Sequence, residues 1–143
     1  MKEKILIKYH DKEMKRLEKI SAGDWIDLYT AQDIELFKGS FALISLGVSM
    51  ILPEGYEALL VPRSSTFKRY GIIQTNSIGI IDEKYCGEND IWKMSVYSTK
   101  EVYIPKGTRI AQFRIIKHQP EIEFIEVDKT ADIDRGGFGS TGK

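Results

Sequence analysis

Along most of this chain the apolar positions come in short bursts rather than in long stripes. After an opening KILIKY, the runs WIDLYTA, IELFKG, FALISLGVSMIL, YEALLVP, IGIID, IWKMSVYS, EVYIP, TRIAQFRIIK and IEFIEV follow one another. They are rich in β-branched and aromatic residues, and GS, LPEGY, EKYCGEND, STK and PKG separate them. In LPEGY, Pro53 presets φ and Gly55 accepts a positive one, which suits a tight turn. Many short strands at close spacing, with hardly any 3.6-residue period, predict an all-β sandwich or barrel, a class that includes antiparallel jelly rolls. The one internal helix expected is STFKRYG, with Ser64 or Ser65 as its cap. DKEMKRLEKI, residues 11–20, spaces Met14, Leu17 and Ile20 in a way that allows a helical turn. It lacks a clear cap, and a solvated connecting segment is an equal reading.

The pattern stops before the chain does. Residues 128–143 begin acidic and polar and finish in RGGFGSTGK, with four glycines around Phe138. Ordering nine such residues costs on the order of 10 kcal/mol, more per Gly than elsewhere. Burial of Phe138 returns only about 1.5–3 kcal/mol. The expected division is therefore a β-barrel domain over 1–127 and a flexible C-terminal arm over 128–143. A plain disordered terminus is one reading of that arm. The other is an arm that closes over a ligand. Glycine-rich backbone turns its N–H groups toward an anion, Ser140 and Thr141 add hydroxyls, Arg135 adds a fixed charge, and Phe138 offers a flat face to a base. Together these describe a nucleotide triphosphate.

Composition narrows the field. The 143 residues suit one domain, and 21 basic against 21 acidic residues give zero formal charge. That argues against a general binder of nucleic acid or membrane surface, which needs a basic excess. Cys86 is the only cysteine, so no intrachain disulfide forms, as suits a reducing, cytoplasmic location. MKEKILIKYH is too polar for the core of a signal peptide. Two histidines, His10 and His118, leave almost no ligands for zinc, whereas carboxylate-bound Mg²⁺ remains open.

Two further stretches carry candidate chemistry. PRSSTFKRYG places Arg63, Ser64 and Ser65 beside a helix start, where hydroxyls and N–H groups suit phosphate oxygens. An ordinary N-cap with a surface Arg is the plainer alternative. In NSIGIIDEKYCGE, Gly79 admits a close backbone or flat ligand, and Asp82 ends the run where a general base for water would sit. The plainer readings are a turn-capping Asp82 and a half-buried, packing Tyr85.

Taken in order, these strings resemble the deoxyuridine triphosphatase (dUTPase) family of the all-β trimeric kind. Five motifs carry the resemblance: AGDWIDL (22–28), PRSS (62–65), NSIGIIDEKYCGE (76–88), GTRIAQ (107–112) and RGGFGSTG (135–142). It implies a distorted antiparallel jelly-roll barrel with one short helix and a flexible C-terminal arm. It implies hydrolysis of dUTP to dUMP and pyrophosphate with Mg²⁺, by a homotrimer with shared sites. By motif, Asp82 would activate water and Tyr85 would lie against the sugar and exclude a 2′-hydroxyl. Asn76 and the hairpin backbone through Gly79, Ile80 and Ile81 would read uracil. Arg63, Ser64, Ser65 and Gln112 would hold phosphate. Arg135, Gly139, Ser140 and Thr141 would close on the terminal phosphate while Phe138 stacks on the base. Asp27 would reach Mg²⁺ through water.

Several positions depart from the family pattern. Three residues instead of one separate AG from DL, so Asp24 rivals Asp27 as the metal-side carboxylate. Ser65 stands where Gly is common, and Cys86 where Arg is usual. NDIWK looks like an insertion, which makes Trp92 a rival to Phe138 for stacking on the base. The last motif is two residues short. These features resemble dUTPases of Gram-positive bacteria and their phages, some of which bind bacterial repressors, so a repressor partner stays open. A dCTP deaminase of the same fold is the alternative enzyme, but NDIWKMSVYS lacks the Glu its chemistry would use.

Overall fold

The structure is a computed structural model that describes residues 2–140 and Gly142. Eleven strands and one short helix follow one another: β1 (Leu6–Tyr9), β2 (Ile26–Tyr29), β3 (Ile34–Leu36), β4 (Phe41–Ser45), β5 (Val48–Ile51), β6 (Tyr56–Pro62), α1 (Thr66–Tyr70), β7 (Ile72–Gln74), β8 (Gly79–Ile81), β9 (Lys93–Ser98), β10 (Val102–Ile104) and β11 (Arg109–Lys117). Every strand pair is antiparallel. The main sheets run β2-β11-β6-β8 and β4-β9-β7, and the pairs β1-β5 and β10-β3 complete the barrel. This is the expected all-β class. Among the described residues no helix is long and apolar enough to cross a membrane.

Alternation decides which residues face inward. In β9, Met94, Val96 and Ser98 are buried while Lys93 and Tyr97 face out. Leu28, Leu60, Ala111 and Phe113 from the larger sheet meet Ile44, Ile72, Met94 and Val96 from the other in one core. Trp92 closes that core edge-on to Phe113, with ring centroids 5.0 Å apart. Each such side chain contributes about 1.5–3 kcal/mol by leaving water.

Of the two readings of residues 11–20, the connecting segment holds: local side-chain bonds keep them as a turn and an extended strap. The Asp11 carboxylate accepts from Glu13 N, Arg16 stacks over the Tyr9 ring at 4.3 Å, and only Met14 enters the core. FALISLGVSMIL is two strands, not one. The chain breaks at Gly47 (φ 70°), where a Cβ would lie 3.0 Å from Ala31 and 3.1 Å from the Met14 sulfur. β4 then joins β9 while β5 joins β1. The short β7 gave too brief a pattern to be read. Finally, IEFIEV (122–127) forms no strand. Its side chains stand in solvent, Phe124 at 95% exposure, because no edge of its own barrel reaches it.

Candidate active site

β11 lies between β2 and β6, and this places Asp27 opposite Gln112, and Gln112 opposite Val61. The PRSS loop leaves the end of β6 at the same level. Its anchor is Thr66, which is buried: Thr66 Oγ1 accepts from Arg63 N at 3.0 Å and donates to Ile110 O at 2.9 Å. Ser65 is the N-cap residue of α1 but makes no side-chain cap bond. Arg63 Nε pairs with Asp27 Oδ1 at 3.2 Å, and Arg109 with Asp27 Oδ2 at 3.7 Å. Gln112 Nε2 donates to Pro62 O at 3.2 Å. Arg63, Ser64, Ser65 and Gln112 thus gather at one end of the large sheet, and Arg63 and Ser64 line a cleft of about 540 Å³ with Phe67 and Ile73. Two guanidiniums against one carboxylate leave this end positive, as phosphate requires.

Asp82 sits elsewhere. β8 pairs with β6 so that Gly79 faces Leu60, Ile80 faces Leu59 and Ile81 faces Ala58. Asp82 therefore follows on at the level of Glu57, toward the far end of β6. It caps its own turn: Lys84 N donates to Asp82 Oδ1 at 2.8 Å and Tyr85 N to Asp82 O at 2.9 Å. One Asp82 oxygen is thus fixed while the residue stays exposed. Tyr85 Oη donates to Ile91 O at 3.0 Å, which pins the ring beside Asp82. The cleft here, about 360 Å³, is lined by Asp82, Lys84, Glu57 and His118 and contains none of the phosphate-side residues. Asn76 lies in the connection between β7 and β8, at the Leu60 end of β8; β7 pairs with β9 and β8 with β6, so the hairpin expected around residues 77–81 is instead a crossing between two sheets.

The arm touches neither place. Among the described residues no hydrogen bond joins 119–142 to the barrel. Phe138 is fully exposed at φ 53°, and Arg135 reaches only the carbonyl of Gly136. Gly139 and Ser140 form a local turn; Thr141 lies outside the described residues.

Trp92 is not an alternative to Phe138. It is 0% exposed, locked in the core, and cannot meet a base. Asp24 pairs with Arg114 at 3.2 Å on the outer surface. Among the described residues no three His, Cys, Asp or Glu side chains come together around a point. A resident Mg²⁺ needs several free oxygen donors, and Asp27 already faces two arginines. The residues present do not fit a resident metal. Sequence reasoning missed Thr66, Arg109 and Gln74; a third hydroxyl residue directly after PRSS was the one available cue.

A family model for dUTPase matches residues 13–142. The chain belongs to the dUTPase family. Among its relatives, the SPbeta prophage-derived deoxyuridine 5′-triphosphate nucleotidohydrolase YosS of Bacillus subtilis (strain 168) is 54% identical over 138 residues, covering 96% of this chain and 97% of the relative. A mutant of the Staphylococcus bacteriophage 80alpha dUTPase, solved with dUpNHpp, superposes with a TM-score of 0.78 at 22% identity, covering 98% of this chain and 99% of that one. It shares the fold. So does a mutant dUTPase from phage phi11 of S. aureus, at a TM-score of 0.73, 18% identity, and 87% and 98% coverage; that structure is described with a structural Mg(II) ion.

Proposed function

We propose that the protein is a dUTP diphosphatase that hydrolyses dUTP to dUMP and pyrophosphate, in a reducing, cytoplasmic compartment. The observation that carries this reading is the pairing, within a dUTPase barrel, of a cationic phosphate cradle (Arg63, Ser64, Ser65, Gln112) with an exposed, half-fixed carboxylate, Asp82. Asp82 accepts a proton from water as the water oxygen bonds to the α-phosphorus. The bond from that phosphorus to the bridging oxygen breaks, and pyrophosphate leaves toward the cradle. Tyr85, pinned through its hydroxyl, sets its ring against the deoxyribose and leaves no room for a 2′-hydroxyl. Asn76 and the backbone of Gly79, Ile80 and Ile81 read uracil. Arg135, Gly139, Ser140 and Thr141 close on the terminal phosphate with Phe138 over the base, and water is expelled as the arm (128–143) folds down. Mg²⁺ enters bound to the triphosphate, as part of the substrate.

The assembly in this proposal is a homotrimer with sites shared between chains. Two observations support it. No single chain brings Asp82 to Arg63. IEFIEV is apolar, broken by two acidic residues, and finds no sheet, while β1 and β2 each keep an unpaired edge beside an apolar groove of Ile5, Ile7, Tyr9, Leu17, Ile26 and Phe113. A neighbour's strand fills such a place.

The test is pyrophosphate release from dUTP, dCTP, dTTP and UTP at equal concentrations. Hydrolysis of dUTP preferred by about 10⁴-fold or more is expected where hydrogen-bond mismatch does the rejecting. Ammonia release from dCTP, or comparable rates on all four, would sink the proposal.

A further inference from the structure

Gln74, the last residue of β7, is 6% exposed, yet it is not a neutral filler of the core. Its Nε2 donates to Leu60 O and to Asn76 Oδ1, each at 3.1 Å. Its Oε1 is buried with no hydrogen-bond partner among the described residues. A Met or Leu would fill the same space without stranding an oxygen. What those residues cannot supply is the pair of protons on Nε2.

Those two protons determine how the next amide must sit. A backbone carbonyl only accepts, so the Gln74 atom facing Leu60 O has to be Nε2. Its second proton points at Asn76, so the Asn76 atom facing it has to be an acceptor, Oδ1. The Asn76 Nδ2 group is then left pointing outward as a donor. A flip of either amide sets donor against donor or acceptor against acceptor. Gly79 keeps room for this arrangement: a Cβ there would lie 3.2 Å from Gln74 Nε2 and 3.2 Å from Leu60 Cβ.

We propose that Gln74 is a specificity-determining positioning residue, which fixes the Asn76 amide with its NH₂ outward so that the site accepts the 4-carbonyl of uracil and refuses the 4-amino group of cytosine. This rests on the reading of the protein as a dUTP diphosphatase with Asn76 at the base. The discrimination lies in the sign of one hydrogen bond. Uracil offers an acceptor at that position and cytosine a donor, and a fixed donor meets only the first. With Gln74 silenced, Asn76 rotates freely and offers its oxygen to cytosine as readily as its nitrogen to uracil.

Gln74→Met preserves volume and removes both protons. Binding of α,β-imido dUTP and α,β-imido dCTP is measured by calorimetry on the intact protein, alongside turnover of dUTP. The expected result is a fall of about tenfold or more in the preference for the uracil analogue, from weaker binding of it and tighter binding of the cytosine analogue. The loss on dUTP should appear in KM rather than in kcat. Asn76→Asp in the wild-type background keeps an acceptor toward Gln74 and turns the outward donor into an acceptor, so it should invert the preference; this variant decides the matter if Gln74→Met fails to fold. An unchanged preference in a folded Gln74→Met protein, an equal loss on both analogues, or an unchanged preference in Asn76→Asp overturns the inference. A wild-type protein that does not hydrolyse dUTP overturns the functional reading, and this inference with it.

Discussion

Two inactive variants of this protein should restore activity to each other. Ile81 faces Ala58 across the β8–β6 pair, so Asp82 lies level with Glu57, and Arg63 stands six residues further along. At ~3.3 Å per residue that is about 20 Å. An attacking water must lie within about 3–3.5 Å of the phosphorus, so one chain cannot hold the phosphates on Arg63 and attack from Asp82. Asp82→Asn removes the proposed base and should cost about 10²–10⁴ in kcat. Arg63→Ala removes a charge-assisted phosphate contact, whose loss of about 1.5–3 kcal/mol weakens kcat/KM by roughly 10- to 150-fold. When the two are unfolded together and refolded at equal amounts, chains assort at random in the proposed trimer. A site that takes Asp82 from one chain and Arg63 from its neighbour is intact about one time in four. Pyrophosphate release from dUTP should therefore recover to about a quarter of the wild-type rate. If both residues served from the same chain, every site would carry one lesion. Activity no higher than the mean of the two parent preparations would refute the shared-site argument.

Other consequences are simpler to test. Truncation after Asp134 should shift the thermal midpoint by no more than a few degrees, the effect of a ~1 kcal/mol change, because 135–140 are exposed and make no hydrogen bond to the barrel; turnover of dUTP should collapse. Tyr85→Ala should raise the UTP/dUTP ratio of kcat/KM by about tenfold or more, as a removed steric barrier does; an unchanged ratio counts against the sugar-gate role. Lys106, followed by the backbone N–H of Glu13, holds the Asp11 carboxyl below its usual range. A carboxylate lowered in the folded state stabilises above its unfolded pKa, and the effect fades as pH falls through the folded value. Asp11→Asn should thus melt lower than wild type at pH 7, and the gap should close below about pH 4. A gap that persists at low pH would show that Asp11 acts by shape rather than charge.

How much of this was legible from the sequence depends on how far apart the partners lie. Alternation in IWKMSVYS and the turn in LPEGY depend on near neighbours, and both read correctly. So did the helix after PRSS, although Thr66 rather than a serine anchors it. The break at Gly47 did not show, because whether β4 and β5 continue is decided by where β9 and β1 wait. Trp92 looked available in NDIWK; only the packed position of Phe113 reveals that it is spent on the core. Asp27 read as a metal-side carboxylate because nothing in AGDWIDL announces Arg63, thirty-six residues on. Gln74 was silent for the same reason. IEFIEV was read as a strand from its period, and the sheet it needs is absent from its own barrel.

That solvent-facing segment also bears on the life of the chain before assembly. A sticky, β-prone hexapeptide is the kind of stretch that stacks on copies of itself at high protein concentration. Here Glu121, Glu123 and Glu126 punctuate it, so identical segments laid side by side would repel. The waiting groove carries both signs at its rim, Lys19 beside Glu18, so it does not repel such a segment as a copy of the segment would. In the proposed assembly, such charges would steer newly made subunits toward ordered rings and away from fibres without any part in handling the nucleotide.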